Sequence, residues 1–155
     1  MKAKIKVTEL THEELASIIE KGILEIDYFK ADYDLKFYNS IPDCEKEGED
    51  EKDRMADVLL HGGFLRVVDW MGDGHIHAAD GVPAKTEPLA WWDVDTNELT
   101  NDNQIAVYAL KLEHILRACS SENGFVALQD VIWYHEYWDS ANNIVQTALF
   151  GSIRY

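Results

Sequence analysis

Two histidines set among aspartates are the first residues whose types and spacing could do chemistry: Asp69-Trp-Met-Gly-Asp73-Gly-His75-Ile-His77-Ala-Ala-Asp80. On an extended strand, residues two apart face the same side, so His75 and His77 could offer two imidazoles to one ion. With Asp73, Asp80 or the distant His61 as third ligand, this would be a catalytic zinc site with an open position, and the protein a small metal-dependent hydrolase. The known patterns stop short. An H-x-H-x-D-H site needs its acid one residue earlier and a further His that does not follow. A cupin-type site wants Gly six residues before the first His and Glu four or five after the second, where Asp69, Gly81 and Val82 stand. The simpler reading is two imidazoles beside a glycine turn and no cofactor, with zinc as the alternative.

Other chemistries fare no better. Asp93-Val-Asp95-Thr-Asn97 begins like a calcium loop, but Glu98 and Gln104 occupy the positions that require Gly and Glu. An acidic hairpin tip fits better. No G-x-S-x-G occurs, and neither Gly62-Gly63 nor Gly72-x-Gly74 continues into a phosphate-binding loop. Cys44 and Cys119 form no C-x-x-C pair and have no electropositive setting. Cys119 follows Leu112, Ile115 and Leu116 at helical spacing and reads as a small core residue. No catalytic residue is assigned.

Charge is the larger signal. The 155 residues carry 29 acids against 14 bases, a formal net charge of −15, with 46% hydrophobic residues. So apolar a chain is not disordered. So acidic a chain lacks the basic footprint of a direct nucleic-acid binder. The length excludes a full (β/α)₈ barrel, which takes about 250 residues. The acidity is concentrated twice. Residues 43–57 hold eight acids and three bases, and residues 69–102 hold eight acids and only Lys85. Solubility alone would explain net charge. A sharper expectation is a carboxylate surface that occupies the basic groove a nuclease or repressor offers to phosphates.

The aromatics are the third signal. Trp133-Tyr134-His135-Glu136-Tyr137-Trp138 forms a knot, with Trp70 and Trp91-Trp92 elsewhere. Most of the five tryptophans are expected in the core. Trp92 and Trp138 are the candidates for an exposed patch, which would make the chain a ligand-binding or homodimeric module.

The elements that must position these residues can be read from periodicity. Lys4 to Thr8 alternates like a strand. Thr11 and Glu14 form a capping box before Leu15, Ile18 and Ile19. Ile23 to Tyr38 fits strands or a packed loop equally. The acidic stretch at about 43–52 reads as a mobile loop passing into a helix that bears Met55, Val58 and Leu59 and stops at Gly62-Gly63. Phe64 to Trp70, apolar on both faces, reads as a central strand. Short extended pieces around His75–Ala79 and Trp91–Val94 precede a strand over Ile105 to Leu110. Helices carrying Ile115 and Leu128 follow. Asp139 or Ser140 would cap a last helix whose Ala141, Ile144, Val145, Ala148 and Leu149 make an apolar stripe ending at Gly151. Ser152 to Tyr155 would return as a short strand. The sum is a single α+β domain, a small, mainly antiparallel sheet packed against helices on one side. No apolar run is long enough to span a membrane and the N-terminus lacks a leader pattern, so a cytoplasmic protein is expected.

Two segments carry a resemblance. Ala56-Asp-Val-Leu-Leu-His-Gly-Gly-Phe-Leu-Arg-Val67 is similar to a stretch of small acidic, uncharacterised proteins of bacterial phages and conjugative elements. Ala141 onward through Gln146-Thr-Ala-Leu-Phe-Gly-Ser-Ile-Arg-Tyr155 resembles their C-terminal helix and strand. The resemblance implies a mobile-element protein and transfers no active site. Together these signals lead to a non-enzymatic interaction protein that binds a basic protein site. Its sharpest form is a DNA mimic inhibiting a restriction or CRISPR-type nuclease. The candidate contacts are Glu45, Glu47, Glu49 and Asp50 in the first acidic region, Asp93, Asp95 and Glu98 in the second, and Trp92 and Trp138.

Overall fold

A computed structural model of the protein describes residues 6–69, 88–93, 98–100, 105–134, 137–151 and 153. The capping box forms as the sequence predicts. The Thr11 hydroxyl accepts from the Glu14 amide at 3.1 Å, and the Glu14 carboxylate accepts from the Thr11 amide at 2.9 Å. These bonds start helix α1 (His12–Ile19), which buries Leu15, Ala16, Ile18 and Ile19. It widens into a π-helical turn, Glu20–Leu24. A Cβ on Gly22 would stand 2.7 Å from the carbonyl oxygen of Ala141, so only glycine lets this turn approach the last helix.

The ambiguous stretch after it resolves into strand β1 (Phe29–Tyr33) and helix α2 (Leu35–Ser40). A 3₁₀ turn, Asp43–Glu45, leads to helix α3 (Glu51–Leu60). Gly62, at φ 90°, ends α3 in the left-handed region as expected. Strand β2 (Phe64–Asp69) follows, then β3 (Pro88–Asp93), β4 (Glu98–Thr100) and β5 (Ile105–Lys111). Helices α4 (Leu112–Cys119), α5 (Glu122–Tyr134) and α6 (Trp138–Phe150) complete the described elements.

The five strands form one sheet in the order β1-β2-β5-β3-β4, and every pairing is antiparallel. The chain is therefore α+β, and β2 is an interior strand, both as the sequence predicts. The register puts Ala31, Val67 and Tyr108 side by side on one face, and Tyr33, Leu65 and Leu110 beside them. That face packs against the helices. Phe150 of α6 meets Phe29 and Tyr108 with ring centroids 6.1 and 5.5 Å apart. On the other face Arg66 donates twice to Asp32, its register partner, at 2.7 Å each.

Helix α6 is the central helix. Its predicted stripe, Ala141, Ile144, Val145, Ala148 and Leu149, is wholly buried. Each fully buried Ile, Val or Leu there contributes about 1.5–3 kcal/mol. Two sequence expectations fail. Lys6 to Thr8 forms no strand. The Val7 amide donates to the Ser120 hydroxyl at 2.8 Å instead of to a sheet neighbour. Neither Asp139 nor Ser140 caps α6, which begins at Trp138, and the Ser140 hydroxyl donates to Asp130 at 3.1 Å. Among the described residues, no helix is long and apolar enough to cross a membrane.

Candidate functional site

The first acidic region is built around one buried carboxylate. Asp57 lies on the inner side of α3 between Ala56 and Val58 and is 1% exposed. Its oxygens have two partners. Nε2 of His12 lies 3.3 Å from one, and the Glu47 amide donates to the other at 3.3 Å. His12 also lies 3.4 Å from the Glu47 carboxylate and 3.2 Å from the Asp53 carbonyl. Burial pushes the Asp57 pKa up; the Glu47 amide and then the His12 and His61 charges pull it back. His61, set down in the sequence as a spare metal ligand, donates Nδ1–H to the Asp57 carbonyl one helical turn back, at 2.8 Å.

Around this anchor the charges separate by sign. The stretch expected to be a mobile loop is tied at several points, and its helical part begins at Glu51. The region has three cations, and each points at the protein body. Lys46 lies 4.4 Å from the Tyr38 ring centroid and is only 16% exposed. Arg54 lies 5.5 Å from the same ring and donates to the Glu49 carbonyl at 3.0 Å. Lys52 pairs with Glu20 of the π-helical turn at 2.9 Å. Both Arg54 and Lys52 have raised pKa values, chiefly through hydrogen bonds to Tyr33 and Glu20 respectively. Asp43, Glu45, Glu47, Glu49, Asp50 and Glu51 are all exposed. The result is an arc of outward carboxylates over a lining of inward cations.

The second acidic region stands elsewhere. Asp93 and Glu98 are register partners on β3 and β4, and Trp92 pairs with Leu99 beside them. Strand β4 is the edge opposite β1. With strands about 4.8 Å apart, the two edges are separated by roughly 19 Å. The fold therefore places Glu45, Glu47, Glu49 and Asp50 together before and at the start of α3 and sets Asp93 and Glu98 on β3 and β4, toward the end of the sheet away from β1. Asp95 lies outside the described residues, as do Asp73, His75, His77 and Asp80. Asp69, which opens that histidine motif, is buried at the end of β2.

A third feature was only partly legible. Most tryptophans were expected in the core, yet Trp133 is 73% exposed and Trp138 42%, with Tyr134 at 63% and Tyr137 at 47% between them. Tyr134 and Tyr137 touch across the α5–α6 junction, with centroids 5.4 Å apart. Trp138 donates its indole N–H to the Glu25 carboxylate, and Lys21 sits 5.0 Å from its ring while bonding Glu25 at 3.0 Å. Those two bonds, Lys21 first and Trp138 second, hold the Glu25 pKa below the usual carboxylate range. Trp138 was expected at an exposed patch. Its neighbours Trp133, Tyr134 and Tyr137 were not, because helical periodicity falters where one helix ends and the next begins.

Catalytic features are few among the described residues. Among the described residues, no group of three or more His, Cys, Asp or Glu could hold a metal ion. Cys44 and Cys119 are both free, and burial pushes the Cys119 thiol up to about 12, which suits a core residue and not a nucleophile. A groove of about 870 Å³ runs between Val7 and α4, past Leu116, Arg117 and Ser121. Its described lining includes no histidine, cysteine or aspartate and shares no residue with the arc or the aromatic corner. No family model, curated protein or solved structure matches the chain.

Proposed function

We propose that the protein is a non-enzymatic interaction protein whose 43–51 arc engages a basic site on a protein partner. The observation that carries this reading is the separation of charge: six carboxylates face solvent while Lys46, Lys52 and Arg54 are held against Tyr38, Tyr33 and Glu20. A surface serving only solubility has no need to hide its cations, since interspersed signs keep proteins apart as well. A surface that competes for a phosphate-binding groove does need it, because every outward cation would repel the groove. The partner is accordingly a nucleic-acid-binding enzyme. In its sharpest form the protein, from a phage or mobile element, inhibits a restriction or CRISPR-type nuclease by standing in for DNA.

The test is plasmid cleavage by a panel of purified restriction and CRISPR-type nucleases, with the protein titrated in at low and at high salt. Inhibition of at least one nuclease is expected, weakening as salt rises because the encounter is electrostatic. Neutralising the arc (Glu45→Gln, Glu47→Gln, Glu49→Gln, Asp50→Asn together) should weaken inhibition by about tenfold or more. Inhibition that ignores both salt and the four substitutions would overturn the assignment of the arc. A panel left wholly uninhibited would overturn the nuclease.

A further inference from the structure

We infer that the aromatic corner where α5 meets α6 is a second docking surface, built for an arginine-bearing segment of a protein partner. It is separate from the arc and stands whether or not the arc binds a nuclease. Trp133, Tyr134 and Tyr137 are each between 47% and 73% exposed within five residues of sequence. Isolated exposed apolar residues need no explanation, but contiguous large aromatics mark contact sites.

The surroundings say what sort of partner fits. The carboxylates of Glu25 and Asp139 are exposed at the α6 side of the corner, and Glu13 and Glu14 line a notch against Val131 and Ile132 on the α5 side. The C-terminal end of α5 adds its own partial negative charge. A second copy of a chain carrying −15 would meet like charge across such a rim, which disfavours self-association. A cation meets the opposite. The molecule already shows how: the Lys21 ammonium sits over the Trp138 ring and bonds the Glu25 carboxylate, which Trp138 itself orients through its indole N–H. Ring plus carboxylate is thus a working cation seat, filled at Trp138 by the protein's own lysine. The rings of Trp133, Tyr134 and Tyr137 are exposed to the same use. Arginine suits them better than lysine, because its planar guanidinium stacks on rings while pairing with carboxylates.

The experiment compares two fluorescein-labelled nonapeptides of equal charge, one bearing arginine at alternate positions and one bearing lysine, with glycine and serine between. Anisotropy titrations of the full chain should show the arginine peptide binding about three- to tenfold more tightly. Substituting Trp133→Ala, Tyr134→Ala and Tyr137→Ala together should erase that preference and leave a common, salt-sensitive residue of binding. The four-acid arc variant should weaken both peptides alike and keep the preference, which separates failure of this surface from failure of the arc. An unmodified chain with no preference, or a triple variant that retains it, would overturn the proposal. A dimer in sedimentation that the triple variant dissolves would overturn it too, by making the corner a self-interface.

Discussion

The acidic arc turns carboxylates outward over covered tyrosine rings, the aromatic corner turns its rings outward, and the two are held to the body by different means. The arc is positioned by polar contacts: a buried Asp57, a histidine on α1, and cations laid over tyrosine rings. The corner is positioned by close backbone approach. A Cβ on Gly124 in the first turn of α5 would stand 1.8 Å from the Ala118 carbonyl oxygen, and one on Gly22 would press on Ala141 of α6. Contacts of the first kind titrate and are weakened by competing charge, whereas contacts of the second kind respond only to volume. The two surfaces should therefore fail under different insults, and that difference can be broken or sharpened by mutation.

The largest effect is expected at Gly124. Even an alanine there must move α5 away from α4, since the obstacle is backbone and cannot rotate aside. The cost of Gly124→Ala should reach or pass the top of the range of about 1–3 kcal/mol typical of overpacking. Urea denaturation measures it. The loss should not vary with pH, because no ionisable side chain is among the atoms that the added Cβ meets. A Gly124→Ala protein as stable as the parent would show that α5 is not seated by close approach.

Next comes the arc's anchor. Asp57→Ala leaves the Glu47 amide and the His12 ring without their shared acceptor and should cost about 1–3 kcal/mol. Limited proteolysis should then cut between residues 43 and 50, where the parent resists. Loss of stability without new cleavage would mean that the segment is held chiefly by Lys46 and Arg54 on Tyr38.

A gentler substitution at the same site tests titration itself. Burial raises the folded-state pKa of Asp57 above its unfolded value, so the folded chain binds more protons between those two values. The contribution of Asp57 therefore declines as pH rises through that window, which begins in the ordinary carboxylate range. His12, His61 and the Glu47 carboxylate are the charged groups that face it. Asp57→Asn keeps the shape and removes the proton equilibrium. Denaturation midpoints measured from about pH 4 to about pH 7 should decline less with rising pH in the variant than in the parent. Identical slopes would assign the pH dependence to the other carboxylates.

These features differ in how far the sequence exposed them. The stripe of α6 was readable because five apolar residues at helical spacing have one physical solution, burial. The Thr11–Glu14 box was readable because its partners are three residues apart. Asp57 was not, since in sequence it is one more acid in an acidic run, and its burial depends on His12, 45 residues away. Nor were Asn142 and Gln146, both buried on the otherwise apolar side of α6. The Asn142 amide donates to the Gly22 carbonyl at 2.9 Å, and Gln146 donates to Asn142. Their bond to the π-helical turn makes sense of a polar pair in a core, but the turn itself leaves no periodic mark. The exposed rings of Trp133, Tyr134 and Tyr137 were missed for a related reason. Composition predicts that tryptophans are buried, and only the angle between α5 and α6 decides which ones are not.

The smallest expected effect follows from that last point. If Trp133, Tyr134 and Tyr137 serve contact and not packing, replacing all three by alanine should change stability by no more than about 0.5 kcal/mol. The rings already face water, so their removal creates no cavity. The bonds described for them are peripheral: Trp133 donates to Gln129 one turn back at 3.3 Å, and the two tyrosine rings touch each other. A chain that keeps its denaturation midpoint while losing arginine preference would place these rings wholly on the recognition side of the comparison. A loss of about 3 kcal/mol or more, where the cost of truncating one buried aromatic begins, would return them to the core. The contrast with Gly124 is then direct: one absent side chain fixes the corner, and three present ones leave its stability untouched.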